Sequence, residues 1–364
     1  MSTQQEREQA VMRGLRFIHR VALKPRHFKV YGSNLLYFFN FVATTSKSPA
    51  LREAAREMAS HHIGRRNGDA TRFPPDPDAD DITQLVLAGH SAEKHGLRDR
   101  ALKARLRRAA EGFRAEEYLW FDPLVEPPPD DVPEACDCGA GNERGRKRCR
   151  GCRRKLSYMT RYRVWCLALT TAYSGESYGV RLGASYAEVL RWLPYLRPYR
   201  GPEGGANHDF YDAVYAISHL VYTLNDYGRY RLSPAWLPEE FEFLSANLSE
   251  AIARDDPDMA GEFLDSLLAF GRTHDDPVMR PGVEFLLSCQ NRDGSWGDRQ
   301  AEIYARYHAT WAALDGLREY DWRGEKLRFP EVLPWLEFWA KGRKSRRAGR
   351  RKASGNGGGA EVSA

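Results

Sequence analysis

Export and membrane signatures are missing from this chain. Its 364 residues hold no uncharged apolar run of the roughly 18 residues that a bilayer-spanning helix needs. The N-terminus, MSTQQEREQAVMRGLRF, lacks an apolar signal-peptide core, so a cytoplasmic protein is expected. An excess of one charge is also missing from most of the chain. Residues 341–352, KGRKSRRAGRRK, hold eight basic residues and no acidic one, which leaves 47 basic and 48 acidic residues over 1–340. A neutral body argues against a nucleic-acid surface. The basic end is expected to be disordered, either as a solubilising tail or as a peripheral contact with anionic lipid. Cysteine is scarce, six in all, yet four of the six fall within 17 residues.

Aromatic residues, at 12%, are plentiful enough to wall a cavity. Helical stretches that are apolar on all sides begin near 31, 81, 158, 208, 259 and 304, with amphipathic ones between them over 4–23, 51–62, 101–118, 186–196, 238–252 and 278–289. The first kind must be surrounded by protein; the second faces water on one side. Spacings of 50, 77, 50, 51 and 45 residues become near-constant once an insertion is removed from the long step. A constant period is the signature of stacked supersecondary repeats. The expected fold is all-α, an (α/α)6 toroid whose inner helices run parallel with their N-terminal ends at one mouth. Its parts are 1–124, a Pro-rich linker and cysteine insertion over 125–157, 158–340, and the tail over 341–364.

Within 280–317, RPGVEFLLSCQNRDGSWGDRQAEIYARYHATWAALDGL, a helix, a turn at Asp293 and Gly294, and a second helix follow one another. Gln290 can bond backbone at the start of the second helix while the Trp296 indole packs over the turn. Arg280, Gly282, Phe285, Leu286, Gln290, Gly294 and Trp296 resemble the glutamine and tryptophan repeat of the squalene and terpene cyclases and the related protein prenyltransferase β subunits. The resemblance implies the same toroid.

The insertion brings Cys136, Cys138, Cys149 and Cys152 as two close pairs separated by a Gly-rich decapeptide. Such pairs can set four thiolates around a structural Zn²⁺; disulfides or free thiols are the alternatives. Eight Lys and Arg between Arg144 and Lys155 can rim the barrel mouth.

Asp78, Asp80 and Asp81 spell DxDD before the second inner helix. The motif is similar to that of class II terpene cyclases, which implies Asp80 as the proton donor with Asp78 and Asp81 tuning it. Crowded carboxylates at a dry site keep one of them protonated. The other reading is a helix cap. His208 and Asp212, four apart on one helical face, form a second polar pair able to hold a metal, to share a hydrogen bond or to cap a helix. The stretch holding Tyr307 and His308 is similar to the helix that supplies the zinc-binding His of prenyltransferases, whose remaining ligands map to Asp293 and, in place of Cys, Ser295. Tyr37, Phe38, Tyr162, Trp165, Tyr215, Tyr222, Tyr307, His308 and Trp311 are the expected cavity lining, with helix-layer packing as the alternative for any one of them. Trp335, Leu336, Phe338 and Trp339 either seal the ring as a last outer helix or meet a membrane interface.

Together these features point to a class II-type terpenoid cyclase acting by protonation on a linear isoprenoid, with Mg²⁺ if the substrate carries a diphosphate. The rivals are a non-catalytic toroid that binds a protein or lipid, and a metal-dependent prenyltransferase-like enzyme that uses His208, Asp212 and His308.

Overall fold

The computed structural model describes residues 3–63 and 73–342. The basic tail beyond Gly342 lies outside the described residues.

The chain is all-α. In order come α1 (Thr3–Leu23), α2 (Pro25–Thr45), α3 (Pro49–Ile63), α4 (Ala79–Lys94), α5 (Arg100–Ala110), α6 (Ala115–Leu119), α7 (Arg161–Tyr178), α8 (Tyr186–Leu190), α9 (Leu193–Leu196), α10 (Phe210–Leu224), α11 (Pro238–Ala253), α12 (Pro257–Ala269), α13 (Arg280–Ser288) and α14 (Ile303–Leu317). A closing helix, α15, covers 333–342. Local chemistry sets the boundaries. The side chains of Asp99, Thr160, Ser185 and Asp256 accept backbone N–H groups at the starts of α5, α7, α8 and α12. Prolines open α2, α11 and α12, where the missing N–H costs nothing. Two expected helices are each broken in two. The stretch 101–118 divides into α5 and α6 because Arg114 takes extended backbone, and 186–196 divides into α8 and α9, the latter opened by Pro194.

Six helices touch in cyclic order: α2 with α4, α4 with α7, α7 with α10, α10 with α12, and α12 with α14. The ring returns to α2 through Phe38 on Trp311 and Tyr31 on Tyr307, with ring centroids 5.0 and 5.3 Å apart. Neighbouring helices advance together. Thr160 meets Asp212 while Tyr173 meets Asp226, and Asp258 meets His308 while Gly261 meets Ala312. Within each of these pairs, α7 with α10 and α12 with α14, the helices run parallel. The α12–α14 approach is backbone to backbone, since a Cβ on Gly261 would sit 2.3 Å from the carbonyl carbon of Ala312.

The other helices lie outside. α1 packs on α2, α13 and α14, α3 on α2, α5 on α4, α8 on α7, and α11 on α12 and α13. In α15, Leu336 is buried while Trp335 and Phe338 are exposed.

Gln290 works differently from the expectation. Its amide does reach the turn, donating to Gly294 O at 3.1 Å, but it also donates to Ala10 O at 2.9 Å, and its carbonyl oxygen accepts from the Arg13 guanidinium. It thus fastens the last hairpin to the first helix. The Trp296 indole donates to Leu286 O at 2.7 Å and packs against Gly14 of α1.

Between α6 and α7, β1 (Val132–Pro133) pairs antiparallel with β2 (Tyr158–Met159) and carries the cysteine insertion. At the C-terminal ends of the inner helices, 225–231 and 320–329 cross-link through Arg231 N to Gly324 O at 2.9 Å and close the ring. Asp226 and Tyr227 turn there with left-handed backbone, at φ 55 and 52.

Candidate functional site

A cavity of about 430 Å³ lies on the ring axis, and all six inner helices line it. Exposed Asp80, Trp120 and Tyr304 stand at its mouth, beside the helix N-termini. Phe41, Tyr227, Asp265, Asp315 and Tyr320 lie at the far end.

The cavity sorts the expected lining by helical phase. Tyr37, Tyr215, Tyr222, Tyr307, His308 and Trp311 line it. Phe38, Tyr162 and Trp165 do not. Phe38 packs on Phe39 in the core, the Tyr162 hydroxyl donates to Leu196 O at 3.2 Å, and the Trp165 indole donates to Val189 O at 3.0 Å, so both α7 aromatics face the outer layer. The cavity face of α7 is instead Cys166, Leu167, Thr170, Thr171 and Ser174.

The DxDD residues begin α4. Asp78 Oδ1 accepts Asp81 N at 2.8 Å and Asp81 Oδ2 accepts Asp78 N at 3.3 Å, a reciprocal capping box. Asp80 does line the cavity, but at the exposed mouth and not in a dry interior. His208 is exposed in the turn before α10, whereas Asp212 is engaged by the Thr160 hydroxyl at 2.8 Å. Neither belongs to a cluster of three metal-ligating side chains among the described residues. Asp293 faces Arg306 at 2.6 Å and the Ser295 hydroxyl at 2.7 Å, so the prenyltransferase-like ligand set does not assemble on His308.

What does assemble on the cavity wall comes mainly from carboxylates set in apolar helices. At the far end, Asp265 is buried, and its Oδ1 accepts the Tyr320 hydroxyl at 2.5 Å. Asp315 accepts the Trp311 indole N–H at 2.7 Å and Arg318 Nε at 2.6 Å. Burial, followed by the neighbouring Asp315 charge, pushes the Asp265 carboxyl up to about 7. Arg318 pairs with Asp315, while Asp265 has the Tyr320 hydroxyl as its hydrogen-bond donor.

Nearer the mouth, His308 Nδ1 stands 2.9 and 3.0 Å from the two Asp258 oxygens, and Nε2 is 3.3 Å from the Tyr215 hydroxyl. Glu262 accepts the Ser218 hydroxyl at 2.5 Å. Burial would lower the His308 pKa, but the Asp258 carboxylate outweighs it and raises the imidazole to about 9. His219 is the opposite case. Burial, then the charge of His308, lowers it to about 3, and its Nδ1 must carry the proton donated to Tyr215 O at 2.9 Å. Its Nε2 is left as an acceptor.

Glu262 and Asp265 were not among the expected site residues. The signal was present in MAGEFLDSLLAF, where two carboxylates interrupt a helix that is otherwise apolar after its first turn. Asp315 in HATWAALDGL repeats it.

The cysteine insertion is a second candidate site. Sulfur separations are 3.4 Å for Cys136–Cys152 and Cys138–Cys149, and 3.5 Å for Cys136–Cys138. Four thiolates at tetrahedral zinc stand about 3.8 Å apart, and a disulfide needs about 2 Å, so the spacing suits a shared metal. Hydrogen bonds from the backbone N–H groups of Cys152 and Gly151 help lower the Cys149 thiol to about 6. Arg144 pins the loop to Glu126 and Asp131 at 2.5 Å each.

No helix among the described residues is long and apolar enough to cross a membrane. No protein-family model matches this chain, and no curated protein was found to match it.

Proposed function

We propose that this protein is a class II-type terpenoid cyclase of the (α/α)6 toroid kind, which cyclises a linear isoprenoid by protonation, with Asp265 as the acid in place of Asp80. One observation carries the reading: two carboxyl groups, Asp265 and Asp315, stand together on the wall of an aromatic cavity, and burial raises the pKa of the first. Alkene protonation needs that acid and a dry wall to receive the cation. The π electrons of the terminal double bond take the Asp265 proton, leaving a carbocation on carbon and a carboxylate on the enzyme. The faces of Tyr37, Tyr222, Tyr227 and Trp311 stabilise the positive charge, each by roughly 2 kcal/mol where water is excluded. The next double bond closes the ring. Loss of a proton to His219 Nε2 or to the Asp265 carboxylate ends the reaction, so protons balance and the product is an isomer of the substrate. The cavity volume lies in the range of small-molecule sites and suits a chain shorter than a triterpene. A substrate diphosphate would bring Mg²⁺ to the mouth.

Incubation with linear isoprenoids of several lengths, with and without diphosphate, should yield cyclic products by mass spectrometry. Asp265→Asn should lower turnover at least about a hundredfold, and Asp80→Asn should leave most of it. The reverse pattern would remove Asp265 from the role. No turnover in folded, zinc-loaded protein would favour a toroid that binds a protein or lipid partner. The sign of the pH dependence follows from the acid being the active form: the rate should fall as pH rises through about 7. The groups facing Asp265 are Asp315 and Arg318 from α14 and its exit, Tyr320 beyond it, and Tyr222 from α10.

The four cysteines are proposed to hold a structural Zn²⁺. Cys149→Ser should release the bound zinc, read by metal analysis, while far-ultraviolet circular dichroism stays close to wild type because the helical ring does not depend on the insertion.

A further inference from the structure

The mouth-side cluster has a composition that an ordinary ion pair does not require. Asp258 and Glu262 are four apart on α12 and so share a face. The glycine contacts of α12 bring α14 close enough to lay His308 against both of them. One imidazole needs one carboxylate, and Asp258 already supplies both oxygens at 2.9 and 3.0 Å. Glu262 is therefore surplus. It is only 4% exposed, and among the described residues no Lys or Arg forms an ion pair with it; its hydrogen-bond partner is the Ser218 hydroxyl. A buried carboxyl group holds its charge cheaply only beside a cation, and a bound divalent ion would supply one.

The geometry points to a divalent-cation site: His308 Nδ1, one Asp258 oxygen and one Glu262 oxygen bind a first-row transition ion such as Mn²⁺, Fe²⁺ or Zn²⁺. The three ligand atoms lie within 4.8 Å of one another. Around one ion at about 2.1 Å they would stand roughly 3–3.5 Å apart, within reach of small side-chain rotations. An imidazole with two carboxylates selects a transition ion over Ca²⁺ or Mg²⁺, which prefer all-oxygen shells. The outer partners exist: Tyr215 takes the far nitrogen of His308 at 3.3 Å, and Ser218 holds Glu262. Glu262 and His308 also line the central cavity, so the open coordination positions face it. Arg163, whose guanidinium lies 5.2 Å over the Tyr215 ring, is the nearby fixed cation, and two anionic ligands offset it. This site is separate from the cysteine cluster and stands whether or not the cavity turns over an isoprenoid.

The test is Mn²⁺ titration of the full chain with its cysteine site zinc-loaded, following the free-ion electron paramagnetic resonance signal. Mn²⁺ is too hard an ion to compete for four thiolates. Wild type should bind one equivalent and gain melting temperature with ion concentration. Glu262→Gln, which preserves shape and the Ser218 contact, and His308→Gln should each weaken binding by about tenfold or more, and Tyr215→Phe by less. Absence of Mn²⁺ binding by folded wild type at millimolar ion, or Glu262→Gln binding as tightly as wild type, would overturn the inference.

Discussion

Trp296→Ala should destabilise the protein by about 3–5 kcal/mol, the range for emptying a buried aromatic site. The side chain is 0% exposed. It wedges between three helices, with Gly14 of α1 beneath the ring, Leu286 O of α13 accepting the indole N–H at 2.7 Å, and Thr310 of α14 accepting the backbone N–H at 3.0 Å. Collapse cannot refill the hole, because α1 is also fastened to the same turn by Gln290. Truncation leaves a cavity and takes the indole donor from Leu286 O. Trp296→Phe keeps part of the ring, loses the indole bond and should fall between the two. Urea unfolding followed by circular dichroism measures both. A loss below about 1 kcal/mol for the alanine variant would mean that the first and last helices are held together elsewhere.

Glu240→Ala is expected to cost a similar amount, about 3–5 kcal/mol, for a different reason. Glu240 and Arg197 form a two-pronged pair at 2.7 and 2.8 Å, with side-chain exposures of 0% and 8%, and the Tyr199 hydroxyl adds a third bond at 2.7 Å. The pair joins α11 to the segment after α9. Removing the carboxylate leaves a guanidinium and a phenol in the interior without an acceptor, and that uncompensated charge dominates the cost. A second variant separates this from simple packing. Arg197→Met with Glu240→Met should recover most of the stability, since burying matched apolar groups avoids desolvating two charges. If the single variant unfolds at the same urea concentration as wild type, water reaches Arg197 and the pair contributes nothing measurable.

Much of the helical layout could be read from the sequence. Stretches apolar on all sides became α2, α4, α7, α10, α12 and α14, and the amphipathic stretches became outer helices, because period and polarity report directly whether a helix meets water. The cysteine spacing placed four sulfurs together, since short loops leave few other arrangements. Asp78 and Asp81 show the limit of such reading. A DxDD pattern and a capping box use the same residues at the same spacing, and the contacts distinguish them.

The sequence by itself determined which segments are helical, which of them lie inside, and that four cysteines share one loop. Tertiary structure alone decided which side of each inner helix faces the cavity. On α2 it is Tyr37 and not Phe38, and on α7 it is Cys166 and Thr170 and not Trp165. A helix buried all round has no polar face to announce its phase. Its rotation is set by what packs against it, here by backbone contact at Gly261 and Gly316 that turns Asp258, Glu262, Asp265, His308 and Asp315 toward one another. Those five residues come from two separate helices, only His308 among them stood in the expected site, and they meet where α12 packs on α14.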